Sequence, residues 1–403
     1  MTADVAPVAL ADDRKARRNV FVLAAAGALG GAVPSISFAI SAIAAYDFLE
    51  DKSLATLPIT AFVVGTACGT VPAALLMRKV GRRAGFIAGM LVSFLGVVLS
   101  GWAMFLSGFV LLCIGSFLIG FSQAFIQQFR FAAADTASPA FRPRAISLVM
   151  AGGIVAAVLG PQTVIYAADL FESAPYAGAF LGAAVLTLLG AAVLLFLDIP
   201  RVEARSGAAS GRPLGEIARQ PSFLVAVGCA VSAFAMMSFV MTAAPLAMVM
   251  HHHHRDAAVL GIQWHVLAMF GPSFFTGTLI TRFGTERVIA AGLGLLILCA
   301  LVGLAGTSVG HFWLELILLG LGWNFGFIGA TALVTQTYRP EEKEKVQALN
   351  DFLIFGIVAV VSYLSGEILM FGGWNLLNVV VLPVCFVSLA ALFWQMRRRP
   401  QPT

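Results

Sequence analysis

The chain has 403 residues, of which 60% are hydrophobic and 11% charged, with a formal net charge of +5 and a mean hydropathy of +0.92. A soluble domain carries charge on roughly a quarter of its residues, so this balance excludes one and predicts a polytopic membrane protein. Apolar runs of about 20 residues recur where an outer-membrane barrel would show short alternating segments, so the spanning elements are expected to be helices in a lipid bilayer.

The first 18 residues are polar, and the apolar run after them is too long for the core of a signal peptide, so no cleavable signal is expected. Spans are predicted near 19–46, 55–77, 84–105, 108–133, 144–168, 175–198, 221–250, 257–280, 287–307, 311–336, 346–370 and 374–396, twelve in all. Lys and Arg should then alternate between crowded inner segments and nearly empty outer ones. With the N-terminus inside, the inner segments hold Arg14, Lys15, Arg17 and Arg18; Arg78, Lys79, Arg82 and Arg83; Arg142 and Arg144; Arg201, Arg205, Arg212 and Arg219; Arg282 and Arg287; Arg339, Lys343 and Lys345; and Arg397, Arg398 and Arg399. That leaves only Lys52 and Arg255 outside, with Arg130 near the inner end of the fourth span. Both termini are expected in the cytoplasm of a bacterial inner membrane. Topology accounts for the basic residues, and nucleic acid is not an expected partner.

The segment 201–220, rich in Gly, Ser, Ala and Arg, reads as a cytoplasmic linker between an N-terminal six-helix half, 1–200, and a C-terminal one, 221–403. An internal repeat supports the division: ALLMRKVGRR from Ala74 and GTLITRFGTER from Gly277 place Gly81 and Gly284 203 residues apart. At these residues the chain resembles the major facilitator superfamily, whose loop after the second helix carries G-x3-D-R-x-G-R-R. Gly81, Arg82 and Arg83 match, while Ala74 stands where the family has Gly and Arg78 where it has Asp. Gly160-Pro161 in the fifth span and the central linker extend the resemblance. It implies an all-α membrane protein of twelve helices in two pseudo-symmetric bundles, a carrier working by alternating access.

Residues 229–273 hold Met236, Met237, Met241, Met248, Met250 and Met269, six of the 13 methionines, and His251, His252, His253, His254 and His265, five of the six histidines. Thioether sulfur and imidazole nitrogen suit copper, above all Cu(I). Met237 and Met241 lie one turn apart on the seventh span, as do His265 and Met269 on the eighth. Both the 241/265 and the 237/269 pairs have their midpoint at 253. In an antiparallel hairpin Met241 should therefore sit level with His265, and Met237 with Met269, about 6 Å deeper. Four uncharged donors at two adjacent depths fit a monovalent soft cation. The competing reading is that methionine fills membrane cores and a lone histidine is a hydrogen-bonded packing residue.

Met237-Ser-Phe-Val-Met241 with His265-Val-Leu-Ala-Met269 also resembles the pattern of the CcoA-type bacterial copper importers, a branch of the superfamily linked to haem-copper cytochrome oxidase assembly. The resemblance implies that these four residues ligate copper. Met248, Met250 and His251 to His254 at the outer mouth would collect the ion, or would be a tolerated run that binds metals nonspecifically; the two weigh equally. Cys229 extends a donor ladder inward, although packing is its preferred reading. The other cysteines, Cys68, Cys113, Cys299 and Cys385, stand singly and form no CxxC pair. Pro245 and Gly271-Pro272 would permit bending.

Gln123, Gln127 and Arg130 share a face of the fourth span that could meet a cavity, but Arg130 is near enough to the surface to snorkel, and that reading is preferred. Glu315 and Glu367 fall near outer ends, and no midplane carboxylate stands out as a proton carrier. A monovalent cation gains about 2.3 kcal/mol per 100 mV on entering a negative-inside cell, so uniport is physically open.

The expectation is a monomeric inner-membrane copper importer, moving copper as substrate from periplasm to cytoplasm, with a copper chaperone as possible partner, no cofactor and no enzymatic activity. Its rivals are a carrier of an organic solute or drug on the same fold, and a non-transporting membrane copper sensor.

Overall fold

A computed structural model describes residues 13–138, 141–199 and 211–398. The first twelve residues, the linker residues 201–210 and Arg399 lie outside them. In chain order the helices are α1 (Asp13–Phe48), α2 (Leu57–Val80), α3 (Arg82–Leu106), α4 (Phe109–Ile126), α5 (Phe129–Thr136), α6 (Arg142–Ala167), α7 (Ala177–Leu194), α8 (Leu214–Ala218), α9 (Pro221–Met250), α10 (Arg255–Phe270), α11 (Ser273–Phe283), α12 (Thr285–Ala305), α13 (Val309–Val334) and α14 (Lys343–Arg398). The described residues contain no strand. Helix is the state expected of apolar segments that must satisfy every backbone group internally.

Among the described residues ten helices are long and apolar enough to cross a membrane. An eleventh crossing is the pair α10–α11, bent by 44°. The twelfth is contained in α14, whose apolar stretch Lys345–Arg398 would extend about 80 Å at 1.5 Å per residue, against a hydrocarbon core of about 30 Å. It breaks at Gly373, where φ is 68° and ψ −170°. The crossings fall where the hydropathy of the sequence predicts them.

The bend in the eighth span has a chemical cause. Pro272 lacks an N–H and interrupts the helical ladder after α10. Asn324 of α13 grips the break: its amide donates to the carbonyl of Met269 at 2.6 Å and to Ser273 Oγ at 2.8 Å, while its own oxygen accepts from Thr276. Pro245 lies inside an uninterrupted, largely buried α9.

The two copies of the sequence repeat share one backbone conformation. Gly81 has φ 89° and ψ 162°, Gly284 has φ 91° and ψ 151°, and each ends one spanning segment and starts the next. Only glycine adopts this region without strain. At the same surface Arg82 pairs with Asp135.

Helix contacts are close where glycines remove side chains. A Cβ on Gly120 would lie 1.9 Å from the Phe62 carbonyl oxygen, and one on Gly65 2.1 Å from that of Phe117, so α2 and α4 cross almost backbone to backbone. Beyond the linker, Gly292 of α12 meets Gly326 of α13 in the same way. Between the first six spans and the last six, α2 packs on α14, α6 on α10 and α1 on α9.

The end of the linker is tied down by a buried carboxylate. Glu342 accepts from Arg212 Nε at 2.9 Å, Arg212 Nη2 at 2.8 Å and the backbone N–H groups of Arg212 and Arg339. These bonds, those from the guanidinium first, hold the Glu342 carboxyl well below the usual range. A depressed carboxylate contributes its stability above its ordinary pKa and loses it only as pH falls through the folded value, so the tie persists throughout the neutral range.

The glycine crossing gives a stability test. Gly120→Val should destabilise the detergent-solubilised protein by about 1–3 kcal/mol or more through overpacking. A thermal melt should show it, while Gly228→Val, with no atom within 4 Å of the added carbon, leaves the midpoint unchanged.

Candidate functional site

A cavity of about 380 Å³ lies between the first six and the last six spans. Its main ring cluster comes from the later helices, while Phe38, Phe62 and Phe129 of the earlier ones also line it. Trp323 and Phe327 sit one turn apart on α13, so their rings stack, with centroids 5.2 Å apart and 17° between planes. Phe234 of α9 meets Trp323, Phe327 and Phe355 of α14 edge-on at 5.8, 5.2 and 5.8 Å, and Phe270 at the bend meets Trp323 at 6.4 Å. Such edge-to-face geometry is the favoured arrangement of rings.

The polar wall comes mostly from the earlier helices. Gln123, Gln127 and Arg130 all line the cavity, so the face that sequence spacing marks out is a cavity face. Their side chains make no hydrogen bond to a described residue. Asp351 of α14 lines the same space and interacts electrostatically with Arg130. One of its oxygens accepts from Asn350 at 3.0 Å. Asp351 and the aromatic cluster are absent from the sequence reading. The signals were an acidic residue five positions inside the predicted eleventh span, and the i, i+4 spacing of Trp323 and Phe327.

The structure divides the four expected copper ligands. Met237, Met241 and Met269 line the cavity. His265 does not: it is fully buried, and its Nδ1–H donates to the Leu316 carbonyl at 2.9 Å. The cause is the close approach of α10 to α13 at Gly320, where a Cβ would lie 2.5 Å from the His265 carbonyl oxygen, so that face of α10 is turned to its neighbour.

The accessory donors are likewise dispersed. Met248 is buried and Met250 exposed; Cys229 is buried, with its sulfur 4.0 Å from the Ser388 carbonyl. His253 Nε2 donates to the Thr307 carbonyl at 2.6 Å. His254 caps α10 by accepting from the Asp256 N–H. His252 occupies a turn at φ 62°. The His251 ring is held below the usual imidazole range by partial burial, then by His253 and His252. Among the described residues no group of three or more His, Cys, Asp or Glu side chains is arranged to hold a metal ion. Glu315 is also fully buried and lies against Gly303 beside Asn378, away from the cavity lining.

One end of the cavity is closed by contacts across the two sets of spans. Asp169 accepts from both terminal nitrogens of Arg255, at 2.6 and 2.7 Å, and the guanidinium lies over the Tyr176 ring. Gln162 donates to Gln263 at 2.9 Å, and Thr60 meets Ser362 at 3.4 Å. At the other end Arg18–Asp198 and Arg82–Asp135 each join residues that precede the linker, and Arg212–Glu342 ties the linker to the turn before α14. Gln127, Arg130 and Asp351 are exposed there. The cavity therefore opens toward the end at which the described residues begin and finish, at Asp13 and Arg398.

The sequence profile of the Major Facilitator Superfamily matches residues 19–353 and 230–403. The chain is 47% identical over 390 residues to the riboflavin transporter RfnT of Brucella anthropi, covering 96% of this chain and 98% of that protein. It is 30% identical over 399 residues to YdeG of Bacillus subtilis, an uncharacterized MFS-type transporter, across 95% of this chain and 93% of the relative. Among solved structures, the nucleoside transporter NupG superimposes with a TM-score of 0.71 at 13% identity, over 94% of this chain and 99% of that one. At that identity the likeness concerns the fold.

The closed end supplies a prediction. Hydrogen bonds from Arg255 hold the Asp169 carboxyl below its usual range, so the pair is formed at neutral pH and is lost as pH falls through the depressed pKa. Asp169→Asn should loosen this end. A Gln263→Cys reporter should then react faster with a membrane-impermeant thiol reagent than in the Asp169 background; equal rates would show that the pair does not hold the end closed.

Proposed function

The chain belongs to the Major Facilitator Superfamily, and from that premise we propose that it carries riboflavin or a close flavin relative across the membrane. The observation that carries the reading is 47% identity, over nearly the whole of both chains, to a riboflavin transporter. The cavity supports it. Its volume falls in the range of roughly 300–1,000 Å³ typical of small-molecule sites. A flavin is a flat three-ring system with a polyol arm, and the cavity offers stacked rings on one side and unengaged amides on the other. Residues 1–200 and 221–403 act as the two halves that rock about the site, with both termini in the cytoplasm of the inner membrane.

The expectation of copper import, with copper as substrate, a copper chaperone as partner and oxidase assembly as destination, is overturned by the same kinship: at near-complete coverage the relative carries an organic solute. The rival reading of an organic-solute carrier on this fold replaces it. Met237, Met241 and Met269 then serve as polarisable walls against a planar ring. The protein is a transporter and not an enzyme.

In cells devoid of other flavin carriers, expressing the wild-type chain should raise accumulation of radiolabelled riboflavin and leave copper content unchanged. Trp323→Ala and Phe234→Ala should each lower riboflavin binding roughly tenfold, the scale of a lost stacking contact of about 1–3 kcal/mol. Riboflavin accumulation no higher than in cells without the protein would refute the reading.

A further inference from the structure

Resting on the flavin reading, we propose that Asp351 and Arg130 select the substrate by the imide edge of its ring. Asp351 accepts the ring N3–H, and Arg130, with Gln127, donates to the carbonyls flanking it.

Arg130 and Asp351 stand at the open end of the cavity, where both side chains are accessible to a ligand. Here an arginine from the earlier spans and an aspartate from the later ones line one cavity and influence each other electrostatically, yet they form no ion pair among the described residues. Each therefore keeps hydrogen-bonding capacity for a guest. A carboxylate only accepts and a guanidinium only donates. One oxygen of Asp351 is engaged by Asn350, which leaves the other as an acceptor.

A neutral ligand matches an acceptor beside donors when it presents a donor beside acceptors. The dioxopyrimidine ring of a flavin does: it presents carbonyl, N–H and carbonyl in a row along one edge. With that edge at Asp351 and Arg130, the rest of the ring system extends toward the aromatic wall, because Phe355 stands one turn beyond Asp351 on α14 and packs against Phe234. The pair is neutral in sum, which suits an uncharged ligand.

The edge can be tested by blocking its one donor. The full-length protein, purified in detergent, is titrated by flavin fluorescence with riboflavin and with 3-methylriboflavin, in which the N3–H is replaced by N–CH3. A hydrogen bond to a charged group is the stronger kind, so 3-methylriboflavin should bind at least tenfold more weakly. Asp351→Asn keeps the size of the side chain and removes its charge. If the discrimination is a hydrogen bond to the carboxylate, the ratio should shrink at least threefold in this variant; if it is steric, the ratio stays as in wild type and the assignment is overturned. Equal affinity of the wild-type protein for both flavins also overturns it, whatever the variant does. Failure of the wild-type protein to bind riboflavin at all would instead remove the flavin reading on which the assignment rests.

Discussion

The grip of Asn324 on the broken eighth span is the interaction on which the cavity depends. Pro272 leaves the ladder between α10 and α11 incomplete, and in a bilayer an unsatisfied backbone group costs several kcal/mol. Asn324 answers with three hydrogen bonds to Met269, Ser273 and Thr276. The same bonds fix the azimuth of Met269 and Phe270, both of which line the cavity. Trp323 precedes Asn324 in sequence, so the residue that repairs the backbone also sets the position of the stacked rings.

The main ring cluster and the unengaged amides come from different sets of helices. All five rings of the aromatic cluster belong to α9, α10, α13 and α14, while Gln123, Gln127 and Arg130 belong to α4, α5 and the turn between them. A flat molecule with one polar edge is held by both sets of helices at once. Its contacts then change whenever one set moves relative to the other, which is the coupling of binding to conformation that a carrier requires.

Most of the fold was legible in the sequence because hydropathy and charge alternation are set by the bilayer itself. The Gly81 and Gly284 repeat was legible for a local reason: both require positive φ, and a residue so constrained leaves a fixed letter. The site was legible in depth and not in azimuth. Rise per residue places Met237 and Met241 at cavity level, but α9 is apolar and buried on nearly every face, so periodicity could not say which face its neighbours would take. His265 shows the consequence: its depth suits the cavity, but Gly320 draws α10 against α13 and turns the imidazole to the Leu316 carbonyl. The aromatic wall was hidden among 32 phenylalanines, most of which fill the core or face lipid.

The copper expectation for the methionines has a physical root in the thioether, which is both a soft ligand and a polarisable apolar surface. What separates the two uses is whether a nitrogen or charged donor converges on the sulfur. Here the imidazole nearest in sequence spends its N–H on a backbone carbonyl outside the cavity, and the outer histidines are engaged one by one in a cap, a turn and a carbonyl contact. Met237, Met241 and Met269 are left lining the cavity. A guest between them gains from many weak dispersion contacts, each worth only about 0.1–0.2 kcal/mol but numerous over a flat π-system. Such a surface favours breadth and planarity in its ligand, properties that a bare cation lacks and a fused heterocycle has.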